Sequence, residues 1–534
     1  MTDIPQTARA VQLLGPDAMA FNPAKTVPDP GRGQLLAKVE AVSLCFSDLK
    51  LLKQFSTHAR KSAVVDGLGA EALAAMPNYA PGDKPIVPGH EAVVRVVKVG
   101  PGVERYKIGE RFVVQADYRW LPTEKSKASF GYNFEGALQE YVLFDERVVV
   151  SPEGESALIP APEHLSASAL ALIEPWACVE NAYTETQRRT LKDGGRLLVV
   201  GDAPVDRALV ARLPGRPGEV VFATGDTLAA EPDGSFDDLV YFGADAETAE
   251  KLFAKLAAGG LMAIVQGGRK FGRAVNTPVG RVHYGGIRLV GTAGADPAAA
   301  YAAIPAASEI RPGDKINIVG AAGPMGTMHV IRDLCQGAAG VTVYAGDLND
   351  DRLARLSAIA SPLAEKNGLK LVAYNPAKNP PREAFDYVVL MAPIPALAAQ
   401  AVATAAPKAI VNVFAGIPAD KTAAIDLDVY VDRELYFVGA SGSEMKDMQR
   451  VLAKVTAGEL DTNLSVAAVS GLEGAIDGIR AVERSLIPGK ILVYPSCRGL
   501  KLTPLGELGD DAALERGRWN AKAEAALLKR FAKP

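Results

Sequence analysis

Between about Gly33 and Val150 the chain sets short Val-rich runs between Gly, Pro and Asp: QLLAKVEAVSL, EAVVRVVKVG, RFVVQA, ALQEYVLF and RVVV. Runs of this length bounded by turn formers predict antiparallel β structure with loops. After Leu165 the texture becomes Ala-rich and helical, and from Arg196 short apolar strands alternate with helical stretches. That alternation is the pattern of a parallel sheet covered on both faces. Further on, GIRAVERSLIPGKILVYP predicts a helix and then a strand that returns to the first domain, and Leu500 to Pro534 reads as one Ala/Lys/Glu-rich helix.

The middle of the chain repeats itself. GGRLLVVG (194–201) answers to GDKINIVG (313–320), and EVVFATGD, ending at Asp226, answers to VTVYAGD, ending at Asp347. In the same order SFDDLVYFG (235–243) answers to AFDYVVLMA (384–392), GLMAIVQGG (260–268) to KAIVNVFAG (408–416), and IRLVGTAG (287–294) to LYFVGASG (435–442). The spacing jumps once, after the second pair, as expected if the first copy has a shorter linker. A preserved order of this kind predicts two consecutive dinucleotide-type sheets rather than one oversized sheet. The expected domains are 1–190, completed by 471–534, then 191–310 and 311–470.

Composition narrows the partners. At 534 residues, 48% of them hydrophobic, the chain can bury several cores, and about three domains are expected. The 58 basic and 62 acidic residues nearly cancel, which argues against nucleic acid and for a small-molecule partner. The first residues lack a basic region leading into an apolar one, and no apolar stretch of about 18 residues follows, so a cytoplasmic protein without a membrane span is expected. The four cysteines, Cys45, Cys178, Cys335 and Cys497, are widely spaced without any CxxC, which disfavours a disulfide framework and a cysteine-rich zinc lobe.

In the second copy, Gly320, Gly323 and Gly326, with Pro324 and Met325 among them, lie between an apolar strand and a helical pattern. Such glycines let the backbone turn tightly, approach a pyrophosphate and aim a helix N-terminus at it. The following strand ends in Asp347, about 20 residues on, where a carboxylate can bind a ribose 2′-hydroxyl and would repel a 2′-phosphate, favouring NAD(H) over NADP. Asp347 could instead cap the helix of LNDDRLARL. The first copy reads GDAPVDRALV, with Asp202 and Asp206 where phosphate-facing glycines are wanted, so it is expected to have the sheet without the cofactor.

In the β-rich segment Cys45 precedes Ser47 and Asp48, and His90 and Glu91 follow in PIVPGHEAVV. Cys, His and a carboxylate are the ligand types of a catalytic zinc that keeps one open position. Taken together, Cys-x-Ser-Asp, Gly-His-Glu, ALIEPWACVENAY and the Gly-rich turn before an acidic strand end resemble the zinc-containing medium-chain dehydrogenases, especially the sorbitol, threonine and sugar-phosphate branch. The resemblance covers roughly residues 8–190 and 311–498. It implies an α/β fold with a GroES-like β-rich catalytic domain and a Rossmann-type sheet, which the internal repeat makes two tandem Rossmann-type doubly wound parallel sheets. It also implies one catalytic Zn2+ per chain held by Cys45 and His90, with Glu91 a ligand or a close support and Glu174 a direct or exchanging ligand. Ser47 would pass the substrate proton and Asp48 would orient the ligand histidine.

The expected activity is hydride transfer between a secondary alcohol of a polyol, sugar or sugar derivative and NAD. A redox-neutral lyase or epimerase with retained NAD, and a non-catalytic NAD-binding regulator, are the alternatives. Lys50 stands where many relatives have a relay histidine. A homodimer, or a monomer whose extra sheet takes a second subunit's place, both fit. Tyr118, Trp120, Tyr132 and Asn133 are candidates for substrate contact, Cys178 for a packed core position, and His58, His164, His283 and His329 for structural or exposed ones; Cys335 and Cys497 read as core.

Overall fold

A computed structural model describes residues 4–509 and 513–531. Its packing forms two units: one takes the chain up to Ala177 and again from Ser443, the other is Cys178–Gly442. The return to the first unit thus begins at Ser443 rather than at residue 471, and both repeat copies lie in the second unit. The reason is a shared core, described below, that joins the two copies.

The first unit is built on an eight-stranded sheet ordered Thr503–Pro504, Val466–Ser470, Lys490–Val493, Gln34–Ser43, Glu91–Val99, Arg111–Val114 and Leu158–Pro160, with Tyr141–Asp145 also paired to Gln34–Ser43. Lys490–Val493, from the GKILVYP segment, pairs antiparallel with Gln34–Ser43, so Leu492 faces Ser43 and Val493 faces Val42. The strands are Val-rich and almost wholly buried, as in Glu91–Val96. The tail departs from the single helix expected of it. Trp519 is buried, and among the described residues after the turn at Leu505–Glu507 the helix spans Ala521–Phe531. Glu524 of that helix accepts the backbone N–H groups of Ala167 and Ser168 at 2.6 Å, which ties the tail down.

The second unit holds two parallel sheets. The later one runs Lys370–Tyr374, Thr342–Gly346, Lys315–Val319, Phe385–Leu390, Ala405–Val413, Tyr436–Val438, the 3-2-1-4-5-6 order of a dinucleotide-binding fold. The earlier one runs Glu219–Ala223, Arg196–Gly201, Phe236–Phe242, Leu256–Val265, Arg288–Thr292. What it lacks is a third strand. The jump in repeat spacing is therefore a whole helix and strand, Asp350–Lys366 and Lys370–Tyr374, not a linker.

The copies meet about a local two-fold relation. The alignment that equates 260–268 with 408–416 equates Val275–Thr277 with Ala423–Ile425, and these two short strands pair antiparallel, Val275 with Ile425 and Thr277 with Ala423. Each pair is the dyad mate of the other, the self-complementary signature of an isologous contact. A Cβ at Gly280 would lie 2.0 Å from the Pro418 carbonyl oxygen, so only glycine permits this approach. Tyr430 donates to the Leu289 carbonyl at 2.8 Å, and one apolar cluster runs through Val282, Leu289, Tyr430, Val431 and Phe437.

Candidate metal centre and nucleotide cradle

Cys45 is the N-cap of the helix Phe46–Gln54, and Asp48 is that helix's third residue. Asp48 accepts the Cys45 backbone N–H at 2.9 Å, closing the first turn and fixing where the thiol stands. Its other carboxylate oxygen lies 3.1 Å from His90 Nδ1. With Nδ1 engaged, Nε2 is the nitrogen left for a metal. After the turn at Gly89, whose φ is +96°, His90 precedes and Glu91 opens the strand Glu91–Val99.

The ligand atoms of Cys45, His90 and Glu91 all lie within 4.8 Å of one another, with both His90 and Glu91 buried. A thiol, an imidazole and a carboxylate at that spacing match the donor chemistry of zinc. Glu174, in the first turn of the helix Ile173–Thr184, is buried nearby but is not in that group. Burial, reinforced by Glu91 and Asp117 against the pull of His90, pushes its carboxyl up to about 7. Lys490 Nζ sits 2.6 Å from Glu91, and both are almost fully buried. Although burial alone would depress it, Glu91 and Cys45 carry the Lys490 ammonium above its usual value. Glu91 is thus already neutralised by a cation. The same ammonium also acts on Cys45 and Glu174, so it faces three of the candidate donors. Ser47 Oγ lies 3.5 Å from Cys45 Sγ.

Lys490 is a member of this cluster that motif reading missed, because it joins from a strand far along the chain. His58, expected to be structural or exposed, is half-buried: its Nδ1 accepts the Arg60 N–H at 3.2 Å, and its ring lies 5.2 Å from Tyr132, whose ring is 5.5 Å from His90. Burial, then Arg60 and Lys50, push His58 down to about 4. Of the other loop candidates, Tyr132 reaches the site, whereas Asn133 is spent on the Ser129 N–H and the Ser62 carbonyl, and Trp120 on the Val148 carbonyl. Tyr118 is buried against Phe134. Cys497 is buried and Cys335 only half so.

In the second unit, strand Lys315–Val319 ends at Gly320, φ +87°, and Gly323 caps the helix Pro324–Cys335, with Pro324 as its first residue. A Cβ at Gly326 would fall 2.4 Å from the Gly320 carbonyl oxygen, so this turn closes only on glycine. Asp347 follows strand Thr342–Gly346 and accepts the Ala322 N–H at 3.2 Å and the Asn349 N–H at 3.0 Å. It does not cap the next helix; Asn349 does, accepting the Arg352 N–H at 2.9 Å. Gly320, Asp347, Tyr374, Pro376 and Leu390 line a cavity of about 560 Å³ beside this turn.

The first copy has no such cradle. Asp202 accepts the Tyr241 hydroxyl at 2.6 Å and the Ala244 N–H at 2.9 Å, and Arg207 lies 4.2 Å over the ring of Phe222.

A half-buried thiol with a buried imidazole and carboxylate thus lies in a β-rich unit of a chain that also carries a dinucleotide-type sheet. Residues 31–153 match the alcohol dehydrogenase GroES-like domain family. The chain is 26% identical over 233 residues to D-arabitol-phosphate dehydrogenase of Enterococcus avium, covering 41% of this chain and 55% of that one. It is 28% identical over 197 residues to sorbitol dehydrogenase of Bacillus subtilis, covering 35% and 46%. The chain spans about half the length of the curated relatives it matches. The crystal structure of 2R,3R-butanediol dehydrogenase from Bacillus subtilis superposes with a TM-score of 0.53 at 17% identity, over 92% of this chain and all of that one, a likeness of fold. Among the described residues no helix is long and apolar enough to cross a membrane.

Proposed function

We propose that the protein is a zinc-dependent oxidoreductase that transfers a hydride between a secondary alcohol of a polyol, sugar or sugar derivative and NAD. The observation that carries this reading is the 4.8 Å grouping of Cys45, His90 and Glu91 in a chain that also carries a glycine turn and Asp347 shaped for a dinucleotide. The names of the relatives, acting on arabitol phosphate and sorbitol, support the substrate class.

In this reading Cys45 and His90 hold the metal with a carboxylate from Glu91 or Glu174, and Lys490 pairs with Glu91 beside them. When bound, zinc supplies Lewis acidity that lowers the pKa of a nearby hydroxyl, and NAD supplies the hydride acceptor. The alcohol carbon loses a hydride and its oxygen a proton, giving the ketone. Ser47, beside the thiol, takes the hydroxyl proton outward. Asp48 keeps a proton on His90 Nδ1, holding the ring in the tautomer that presents Nε2. Gly320, Gly323 and Gly326, with Pro324 and Met325, admit the pyrophosphate, and Asp347 accepts the ribose hydroxyls, where a 2′-phosphate would meet its charge. The self-complementary pairing of the two copies supports a chain in which the extra sheet fills a second subunit's place.

Metal content and NADH formation over a polyol panel test the proposal. About one zinc per chain, lost in Cys45→Ala together with alcohol-dependent NADH, is the expected result. Tightly held NAD without net NADH release would point to a redox-neutral reaction, and absence of metal would overturn both.

A further inference from the structure

The two copies are related by a dyad, yet they differ where one of them touches the strand ends of the other. The alignment that pairs 260–268 with 408–416 runs on without a gap to 287–294 and 435–442, so His283 is the mate of Val431, Gly291 of Gly439 and Val265 of Val413. The backbone keeps this relation: a Cβ at Gly439 would stand 2.9 Å from His283 Cα, and one at Gly291 would stand 2.5 Å from Val431 Cγ2. The side chains break it. Val431 packs into the apolar core between the copies, whereas His283, on the first copy's helix Val279–Tyr284, places Nδ1 3.2 Å from the Val413 carbonyl oxygen. A carbonyl only accepts, so Nδ1 carries the proton. In the first copy the mate carbonyl, that of Val265, is met at 3.1 Å by the Gly243 N–H of its own sheet. Val413 ends strand Ala405–Val413, the fifth in the 3-2-1-4-5-6 order, in the half of such a sheet that takes the second mononucleotide of a dinucleotide. Beside it, the ring of Phe414 stands crosswise to two imidazoles: His283 at 6.3 Å and, at 4.5 Å, His329 of the helix that follows the glycine turn.

We propose that the first copy, which lacks a nucleotide cradle of its own, completes the nucleotide site of the second, with His283 as the positioning residue that sets Val413 and Phe414 against the nicotinamide. This rests on the reading of the chain as an NAD enzyme, and it gives the extra sheet a role beyond filling a subunit's place. The asymmetry of the dyad carries the argument. A packing position between the copies is served by valine, as Val431 shows, and the ring with a hydrogen-bond donor stands on the side that faces the intact glycine turn. Asp347 and that turn belong to the other half of the sheet, so the effect of His283 is confined to the nicotinamide end.

The test is calorimetric binding of NADH, and of ADP-ribose, which lacks the nicotinamide, to the full chain. In His283→Val, which gives this position the side chain of its dyad mate, NADH should bind about 5- to 10-fold more weakly, the worth of one hydrogen bond, while ADP-ribose stays within about twofold of wild type. His283→Asn, whose amide can donate from near the place of Nδ1, should bring NADH binding back to within about twofold of wild type. NADH binding unchanged in His283→Val, equal losses for NADH and ADP-ribose, or a His283→Asn as weak as His283→Val would each overturn the proposal while leaving the NAD reading in place. A wild-type chain that binds neither ligand would overturn the NAD reading itself, and the role of His283 with it.

Discussion

At the scale of single residues, the site depends on a charge that its motifs do not contain. Glu91 is fully buried, and its nearest cation is Lys490 at 2.6 Å. Taking the cation away leaves a carboxylate in an apolar interior, so Lys490→Met should destabilise the zinc-free protein by about 3–5 kcal/mol, read as a lower denaturant midpoint at unchanged m-value. Adding Glu91→Gln should recover most of the loss. A double variant as unstable as the single one would mean that Lys490 acts through its stem and its 3.1 Å bond to the Leu44 carbonyl instead. Cys45, His90 and Glu91 were legible because metal chemistry restricts the residue types. Lys490 was not, since any buried cation would serve and the two partners lie 399 positions apart.

Among the elements, the helix Pro324–Cys335 is the least like its sequence pattern. PMGTMHVIRDLC offers His329, Arg332 and Asp333 as a polar face, yet all three are buried. They are accommodated by a network: Tyr183 lies 2.7 Å from His329 Nδ1 and donates to Asp333 at 3.1 Å, while Arg332 pairs with Glu180 at 3.2 Å and Glu309 at 2.5 Å. Periodicity cannot show this, because the partners come from the helix Ile173–Thr184 and from the loop before strand Lys315–Val319. Two of the groups respond to pH in opposite directions. Burial, aided by Glu309 and opposed by Arg332 and Tyr183, pushes the Asp333 carboxyl up to about 7, so the fold favours its protonated form and loses that stability as pH rises from 3.8 through 7. Burial and Arg332 push His329 down to about 3, so the fold favours the neutral ring and loses stability as pH falls from 6.5 through 3. Asp333→Asn removes only the first effect. Its stability relative to wild type should therefore increase as pH goes from 4 to 7, by at most about 1.4 kcal/mol per pH unit. A difference that stays flat across that range in chemical denaturation would show that Asp333 is ionised in the fold throughout.

For the whole molecule, the repeat in the sequence revealed that a sheet was duplicated, but not how the copies are related. The contact that relates them is a pair of three-residue strands, Val275–Thr277 and Ala423–Ile425, too short to carry a period of their own. The same comparison identified Asp202 as wrong for a pyrophosphate, and the structure shows what the residue does instead: its carboxylate is engaged by Tyr241 and Ala244. Three elements of a nucleotide site are altered together. The glycine turn is replaced, a stacked arginine lies over Phe222, and the third strand, which in the later copy ends at the cavity-lining Tyr374, is missing. Open space alone does not restore them: the cavity there is about 850 Å³, but Asp202, Asp226 and Asp245 line it, and anionic phosphates gain nothing from carboxylates. Calorimetric titration with NADH should accordingly give one site per chain, not two. Asp347→Ala should weaken that site by about tenfold or more, the worth of a charge-assisted hydrogen bond pair to the ribose, and no second site should emerge beneath it. Two equivalents of NADH bound per chain, or binding that survives Asp347→Ala at full strength, would mean that the first copy still holds a nucleotide and that its acidic turn has a role other than exclusion.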